Sequence, residues 1–328
     1  MHKTPLISII RRTRLKLWSL LLLLSAASHA QTPFSESEVN VNEFVTGTLL
    51  LPEETENPDL VLLIQGSGPT DRDGNQPFLR NDSLKKLAQA LGQEGIASFR
   101  FDKRIAAMQR LSITEEEMRF DDFVTDAQAV ISYLNEKVPH NNLLIIGHSQ
   151  GSLVAMIAGR GHADAFISIA GAGQPIDSII INQLKIQMPG LDESARDAFS
   201  KLRQNGQVTD FNPYLASIFR PQIQAFMLSW MKYDPAKELQ NLEVPILIIG
   251  GTRDLQVDLR EGQLLKQAVP AATLVEIEDM NHILTKVGDD PLENQKSYNE
   301  PSRPLHPELV PVITDFIGKL SRSTTKEN

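Results

Sequence analysis

The chain has 328 residues, with 32 Lys and Arg side chains against 41 Asp and Glu side chains, and a formal net charge of −9. The absence of cysteine excludes disulfides, a thiol nucleophile and thiolate metal sites. The acidic balance argues against a nucleic-acid partner and against binding to an anionic membrane surface.

Residues 1–30 have the layout of a secretory signal peptide. Five basic residues and no acidic one lie in residues 1–16, and an apolar run follows at residues 17–27. This run is shorter than a membrane span, and it ends at small residues that suit signal peptidase, Ser28 and Ala30. We predict cleavage after Ala30, which leaves 27 basic and 41 acidic side chains and a formal charge of −14. The expected product is exported to the periplasm or secreted, with no stable membrane anchor.

Short apolar runs then alternate with stretches of helical periodicity. The runs predict strands at residues 61–66, 96–101, 142–147, 165–171, 245–251 and 272–278, and the periodic stretches predict helices at 83–93, 120–137, 152–160 and 260–269. Nearly continuous apolar strands are typical of a parallel sheet covered on both faces. The sequence therefore predicts an α/β fold with a doubly wound, mostly parallel sheet. An antiparallel hairpin at the sheet edge is expected within residues 43–53.

Residues 174–242 interrupt the alternation, because these 69 residues are too many for a simple crossover between two strands. Phe226 and Trp230 are four residues apart, a helical spacing. We predict an inserted helical cap here, between core segments 31–173 and 243–320, followed by a flexible tail at 321–328. Most cap aromatic side chains are expected to form the core of the cap, and a minority to line a pocket.

The letters GHSQG at residues 147–151 match G-x-S-x-G between a predicted strand and a predicted helix. In that context the motif is typical of a sharp turn that presents a nucleophilic serine, with glycines that allow close backbone approach. We therefore predict Ser149 as the nucleophile. The alternative is an ordinary strand-to-helix turn that happens to contain a serine.

A serine hydroxyl needs a base, and elimination among seven histidines leaves His282. Two histidines lie in the signal, two precede strands at the far end of the sheet, one occupies the variable position of the turn, and one opens the last helix. These are His2, His29, His140, His162, His148 and His306. His282 follows the final predicted strand, at the edge where Ser149 is expected.

The base needs an acid that fixes its tautomer, and Asp254 lies just after the predicted strand 245–251. Asp258 is the alternative, expected on the next helix. The chain order Ser149, Asp254, His282 differs from the chymotrypsin and subtilisin orders.

Two backbone N–H groups are expected to form an oxyanion hole, those of Ser67 and Gln150. The alternative is that the glycine-rich loop around Ser67 is merely flexible, which would leave one donor. The side chain of Gln150 is expected to be replaceable. Asp71, Asp73 and Asn75 resemble the start of a calcium loop, but Gln76 replaces the required glycine, so no metal and no cofactor are predicted.

Together, the motifs resemble the α/β-hydrolase superfamily and, more narrowly, bacterial EstD-type carboxylesterases. The resemblance rests on QGSGPTDRDGN, RFDKR, GHSQGS, GAGQPID, GGTRDLQV and NHIL, which are spread over residues 59–320. It implies hydrolysis of small-molecule, short-chain carboxylic esters without a cofactor, by Ser149, Asp254 and His282. The charges of residues 102–104 are expected to be structural. Residues 288–306 are expected either to cover the site or to run along the surface.

Three functions remain open on the sequence. The first is a serine esterase, and the second is a peptidase or acyltransferase that uses the same three residues. The third is a ligand-binding protein with a hydrolase fold and no activity, since fold alone does not imply catalysis. The sequence does not indicate an oligomeric state.

Overall fold

The structure, a computed structural model, describes residues 32–324, with side chains as far as residue 320. The predicted signal peptide and residues 325–328 of the predicted tail lie outside the described residues. Within them, eight strands form one sheet in the order β1-β2-β4-β3-β5-β6-β7-β8. The strands are β1 (Phe34–Asn40), β2 (Thr46–Pro52), β3 (Leu60–Ile64), β4 (Ala97–Phe101), β5 (Leu143–His148), β6 (Ala165–Ile169), β7 (Ile246–Gly251) and β8 (Thr273–Ile277). From β4 to β8 the neighbouring strands are parallel.

Helices connect the strands and include one group between β6 and β7. They are α1 (Ser83–Gln93), α2 (Met108–Leu111), α3 (Phe120–Lys137), α4 (Gln150–Ala158), α5 (Ile176–Gln187), α6 (Leu191–Asn205), α7 (Ala216–Phe219), α8 (Pro221–Trp230), α9 (Pro235–Gln240), α10 (Leu259–Ala268), α11 (Pro291–Ser297) and α12 (Leu309–Thr324). Short 3₁₀ turns occur at Arg104–Ala107, Glu115–Glu117 and Pro213–Leu215. Across residues 32–324, no helix combines the length and apolar character that a membrane crossing requires.

The predicted doubly wound α/β fold is confirmed. Apolar side chains alternate across the sheet, so that Ile145 of β5 packs on one face and Ile146 on the other. Helices α3, α4 and α10 cover the first face, while α1 and α12 cover the second. Both faces are buried, which explains why the strands read as continuous apolar runs. Helix α12 extends to Thr324, into the predicted tail.

The predicted hairpin within residues 43–53 is wrong in its extent. That segment supplies only β2, and its antiparallel partner is β1, with Phe34 opposite Pro52 and Asn40 opposite Thr46. β1 is an edge strand whose side chains are mostly polar and exposed. It therefore lacks the apolar run that marks the inner strands.

Helices α5 to α8 share a core of their own, within the predicted cap. Phe199 and Phe219 meet edge to face in it, with ring centroids 4.7 Å apart. Trp230 of α8 instead reaches the main core and stacks on Phe120 of α3 at a centroid distance of 5.5 Å. This aromatic contact joins the helical segment to the sheet domain and places α8 above the carboxyl edge of the sheet.

Candidate active site

Ser149 occupies the turn between β5 and α4 with a backbone conformation that is unusual for a side-chain-bearing residue. Its φ is 55° and its ψ is −122°, and its N–H donates to the carbonyl oxygen of Ile169 at 2.9 Å. Non-glycine residues at such dihedrals are strained and persist only where the surrounding structure holds them. The turn therefore holds Ser149 at the carboxyl edge of the central strands.

The glycines on either side of Ser149 are required by backbone contacts. A Cβ atom at Gly147 would lie 2.4 Å from the carbonyl oxygen of Gly151. A Cβ atom at Gly151 would lie 2.2 Å from the carbonyl oxygen of Ile64. The first turn of α4 therefore packs directly against the end of β3, which leads into the loop that carries Ser67.

Asp254 and His282 come together through a hydrogen bond of 2.8 Å, which the ring donates from Nδ1 to the carboxylate. Asp254 also accepts from the backbone N–H groups of Gln256 at 2.7 Å and Val257 at 2.9 Å. Burial opposes ionisation of Asp254, but His282 and the two N–H groups outweigh it and lower the pKa of this carboxyl. A carboxylate bound at Nδ1 leaves Nε2 as the ring nitrogen that can accept a proton.

The nucleophile candidate lies beside this pair without a direct hydrogen bond to it. Among the described residues, none joins Ser149 Oγ to His282. Gly66 packs against both Ser149 and His148, since a Cβ at Gly66 would lie 3.6 Å from Ser149 Oγ and 3.3 Å from His148 Nδ1. The His148 ring in turn lies 4.7 Å from the His282 ring, measured between centroids. Catalytic hydrogen bonds are often long before substrate binds, so this spacing is compatible with a triad.

His148 holds the backbone of the base. Its Nε2–H donates to the carbonyl oxygen of His282 at 2.8 Å. Burial, and then the nearby His282, lower the pKa of His148 to about 3, so this ring is neutral at physiological pH. His148 thus positions the backbone of His282, the base candidate.

Helix α11, for which the sequence offered no role, links the loops of the base and the acid. Asn281, next to His282, donates from its amide to Asn294 and to Ser297, each at 2.9 Å. Asn294 donates to the carbonyl oxygen of Arg253, next to Asp254, at 2.8 Å. Residues 288–306 therefore buttress the site. The polar run in α11 contained no pattern that could have indicated this.

The two oxyanion candidates lie next to Ser149, and a buried lysine contacts both of their segments. Ser67, Gln150 and Ser149 line the same cavity. Lys103 Nζ donates to the carbonyl oxygen of Gly66, to that of Gly68 at 3.2 Å, and to Gln150 Oε1 at 3.1 Å. The side chain of Gln150 therefore has a defined partner, which the sequence did not indicate, and Lys103 belongs to the site.

Three cavities surround these residues. Cavity A, of about 280 Å³, lies under the helical segment and is lined by Ser149, Gln150, Trp230 and aliphatic side chains of α5. Cavity B, of about 300 Å³, lies on the other side of Ser67 and Gln150, between Phe226, Trp230 and the 3₁₀ turns. Cavity C, of about 120 Å³, is lined by His282, His148 and Tyr298. Phe226 and Trp230 are thus the cap aromatics that line cavities, while Phe219 belongs to the core.

The acidic loop after β3 uses its polar side chains for its own structure. The Asp71 carboxylate accepts from the N–H groups of Asp73 and Asn75 at 2.9 and 2.8 Å. Asp73 pairs with Arg100 at 2.7 Å. The resemblance to a calcium loop therefore reflects a turn closed by Asp71.

Comparisons with known proteins agree with this architecture. A family model described as serine aminopeptidase, S33 (Hydrolase_4) matches residues 81–286, more than half of the chain. Esterase EstD of Thermotoga maritima is 26% identical over 258 residues, which cover 76% of this chain and 60% of that protein. The aligned part therefore spans about three fifths of this relative's length.

Solved structures share the fold at low sequence identity. Est1E from Butyrivibrio proteoclasticus aligns with a TM-score of 0.52 and 16% identity, over 81% of this chain and 96% of its own. The Pyrococcus furiosus esterase Pf2001 aligns with a TM-score of 0.51 and 14% identity, over 88% of this chain and 91% of its own. Together with the sheet order and the turn at Ser149, the family match identifies the chain as a member of the Hydrolase_4 (S33) family of α/β-hydrolases.

Proposed function

We propose that this protein is a serine carboxylesterase that hydrolyses short-chain carboxylic esters through an acyl-enzyme intermediate. The observation that carries the proposal is the buried Asp254–His282 hydrogen bond beside the strained Ser149 turn. A serine, a carboxylate and an imidazole in this chain order are the parts that acyl transfer needs. The similarity to an esterase, EstD, supports the same reaction class.

In the acylation half, Ser149 Oγ attacks the ester carbonyl carbon and its proton moves to His282 Nε2. The Asp254 carboxylate stabilises the imidazolium through Nδ1–H. The carbonyl oxygen becomes an oxyanion that accepts hydrogen bonds from the N–H groups of Ser67 and Gln150. Each such donor lowers the barrier by about 3–4 kcal/mol in comparable enzymes. Collapse of the intermediate breaks the ester C–O bond, and the leaving alkoxide takes the proton from His282.

In the deacylation half, water attacks the acyl-Ser149 carbonyl and gives its proton to His282. Collapse then returns that proton to Ser149 and releases the carboxylic acid. The two halves use the same base and the same oxyanion donors, so no cofactor enters the scheme.

The cavity linings favour an uncharged substrate over a peptide with a free amino terminus. An aminopeptidase must bind the substrate ammonium, and a carboxylate is the usual partner. The residues that line the three cavities all lie in the described part of the chain, and Glu115 supplies the one carboxylate among them. Glu115 already pairs with Arg220. Cavities A and B are at the small end of the range for drug-sized ligands, about 300–1,000 Å³, which supports small acyl and alcohol groups.

The proposed place of action is outside the cytoplasm. The basic, apolar and small-residue segments of residues 1–30 support export, either to the periplasm or to the medium. Amino-terminal sequencing of the processed protein tests this, with Gln31 expected as the first residue.

Turnover of p-nitrophenyl esters from acetate to dodecanoate tests the activity. We expect the highest kcat/KM at acetate or butyrate, no turnover of alanine p-nitroanilide, and labelling of the wild type by a fluorophosphonate probe. Ser149→Ala should lose turnover by at least about 10⁴-fold and lose labelling, because the substitution removes the proposed nucleophile. The control Ser132→Ala, at an exposed position on α3, should behave as wild type.

Two results contradict the proposal in different ways. Efficient cleavage of the anilide with weak ester turnover would indicate a peptidase. Saturable binding of an ester without turnover or labelling would indicate a ligand-binding protein.

A further inference from the structure

Lys103 is a buried cation just beyond β4, at the oxyanion side of the site. Only 6% of its surface is exposed, and its amine lies 4.9 Å from the centroid of the Phe123 ring. Burying an ammonium is costly unless a carboxylate or several oxygen acceptors surround it. The structure must therefore provide compensation, and a buried lysine without an opposite charge requires a reason.

The acidic groups around Lys103 are already engaged elsewhere. Carboxylates lie on its own segment, on α3 and on the 3₁₀ turn that borders cavity B, and each has an arginine partner. The pairs are Asp102–Arg72, Asp126–Arg104 and Glu115–Arg220. His148, the titratable group at the end of β5, is neutral. Within residues 32–320, no carboxylate hydrogen-bonds to Lys103, so backbone and amide dipoles and the Phe123 ring compensate its charge.

The three oxygens that Lys103 binds bracket both oxyanion donors. The carbonyl groups of Gly66 and Gly68 belong to the residues on either side of Ser67. The third acceptor is the side chain of Gln150, whose backbone N–H is the second donor. An ammonium has three N–H donors, and these three acceptors use all of them. One proton-bearing group therefore joins the two segments that form the hole.

We propose that protonated Lys103 positions the oxyanion hole, and that loss of its proton loosens the hole and slows acylation. This inference rests on the proposed esterase function. Lys103 acts through Ser67 and Gln150 and does not touch the reacting atoms, so it is a positioning residue.

The protonation state of Lys103 should change near neutral pH. Burial lowers the pKa of this amine from its ordinary 10.5 to about 7. Below that pH the ammonium donates to all three oxygens. Above it, the neutral amine keeps two N–H groups and turns a lone pair toward the third oxygen. We therefore expect kcat to fall on the alkaline side with a midpoint near pH 7.

The first test compares pH profiles of wild type and Gln150→Glu on p-nitrophenyl butyrate between pH 5.5 and 9.5. The substitution keeps the backbone donor and places a carboxylate at the amine, which favours the ammonium. The alkaline midpoint should rise by at least about one pH unit. KM should stay within about threefold, since the hole acts mainly on the transition state.

Lys103→Met removes the three hydrogen bonds while keeping a side chain of similar length. We expect kcat to fall about 30- to 100-fold, somewhat less than the loss of one oxyanion donor because both backbone N–H groups remain, and the alkaline limb to disappear. Lys86→Met is the matched control, because Lys86 is also partly buried and donates to a carbonyl oxygen, that of Arg303 at 2.5 Å, away from the cavities. Its kcat and pH profile should match the wild type.

A direct titration separates this inference from the proposed function. NMR of ¹³C-labelled lysine in the whole protein, with the Lys103 signal assigned through Lys103→Met or Gln150→Glu, should give a midpoint near 7 for one lysine. A Lys103 midpoint above pH 9 overturns the inference whether or not esters are turned over. If the wild type is active and Gln150→Glu has the same alkaline midpoint, the inference is also overturned, but the esterase proposal stays intact. A wild type that is neither labelled by the probe nor able to turn over esters would instead overturn the esterase proposal.

Discussion

The two sides of Ser149 are held by different means. On the base side, Asp254 accepts three hydrogen bonds, His148 holds the backbone of His282, and Asn281 is tied to α11. On the oxyanion side, a single amine, that of Lys103, joins the Ser67 loop to Gln150. On the base side the charged group is the carboxyl of Asp254, whose pKa is lowered. On the oxyanion side it is the amine of Lys103, whose pKa is also lowered.

This difference has a consequence for robustness. Neutral hydrogen bonds made by His148 and Asn281 add to that of the Asp254 carboxylate in positioning the His282 segment, so the loss of one neutral bond leaves the others in place. The link that Lys103 makes from Gly66 and Gly68 to the Gln150 side chain depends on a proton. We therefore expect the base side to tolerate alkaline pH and the loss of a neutral neighbour of His282, and the oxyanion side to be sensitive to alkaline pH and to the loss of Lys103.

The largest effect should come from the charge of the acid. Asp254→Asn keeps the shape of the side chain but removes the carboxylate that orients and stabilises protonated His282, so kcat should fall by about 10⁴-fold. Steady-state kinetics with p-nitrophenyl butyrate measures this. Asp279→Asn is the control, since Asp279 lies on the loop that carries His282 and pairs with Arg253, the residue before Asp254, at 3.3 Å. A comparable loss in the control would assign the effect to the loop and not to the acid.

The next effect should fall on the contact between the serine turn and β3. In Gly151→Ala the new methyl group would lie 2.2 Å from the carbonyl oxygen of Ile64, so backbone must move. We expect the free energy of unfolding to fall by about 2–4 kcal/mol, with kcat reduced in the folded fraction, because the same movement displaces the Ser67 loop.

Gly318→Ala in α12 is the control for Gly151→Ala, because nothing lies within 4 Å of the added carbon. Alanine there should raise the free energy of unfolding by up to about 1 kcal/mol. Urea unfolding monitored by circular dichroism measures both variants. Equal stability of the two would show that the contact with Ile64 relaxes without cost.

The smallest effect should come from one support of the base. Asn281→Ala leaves the polar atoms of Asn294 and Ser297 without this partner, so the free energy of unfolding should fall by about 1–3 kcal/mol. We expect kcat to fall only about three- to tenfold, since His148 and Asp254 still hold His282. Asn142→Ala, which removes a hydrogen bond to Asp59 at the amino end of β5, should lower stability without lowering kcat. A loss in kcat for Asn281→Ala as large as that for Lys103→Met would contradict the contrast between the two sides.

Local sequence patterns, such as apolar runs and helical periodicity, predicted most of the fold. The strands from β3 to β7 were visible because both faces of the sheet are buried there, and α1 and α3 have the predicted bounds. β1 was missed because an edge strand needs no apolar face. His282 was reached by elimination, which used the expected strand order and no local motif.

The sequence could not indicate supports that join distant segments. Lys103 is 37 residues from Gly66 and 47 from Gln150, so no local spacing relates them. The charges of residues 102–104 were expected to be structural, because Ile105 stands where the resembling family has a glycine. The role of α11 was hidden for the same reason, since its amide side chains are ordinary surface residues until Asn281 is packed against them.

The sequence by itself determined the family, the serine turn and the order of nucleophile, acid and base candidates, because strand periodicity and turn chemistry depend on neighbours along the chain. Only the tertiary structure decided that His148 holds the backbone of the base, that α11 buttresses it, and that Lys103 joins the two oxyanion segments. The physical reason is burial. An amine or an imidazole acquires its protonation state and its partners from the groups that folding places around it, and these lie tens of residues away.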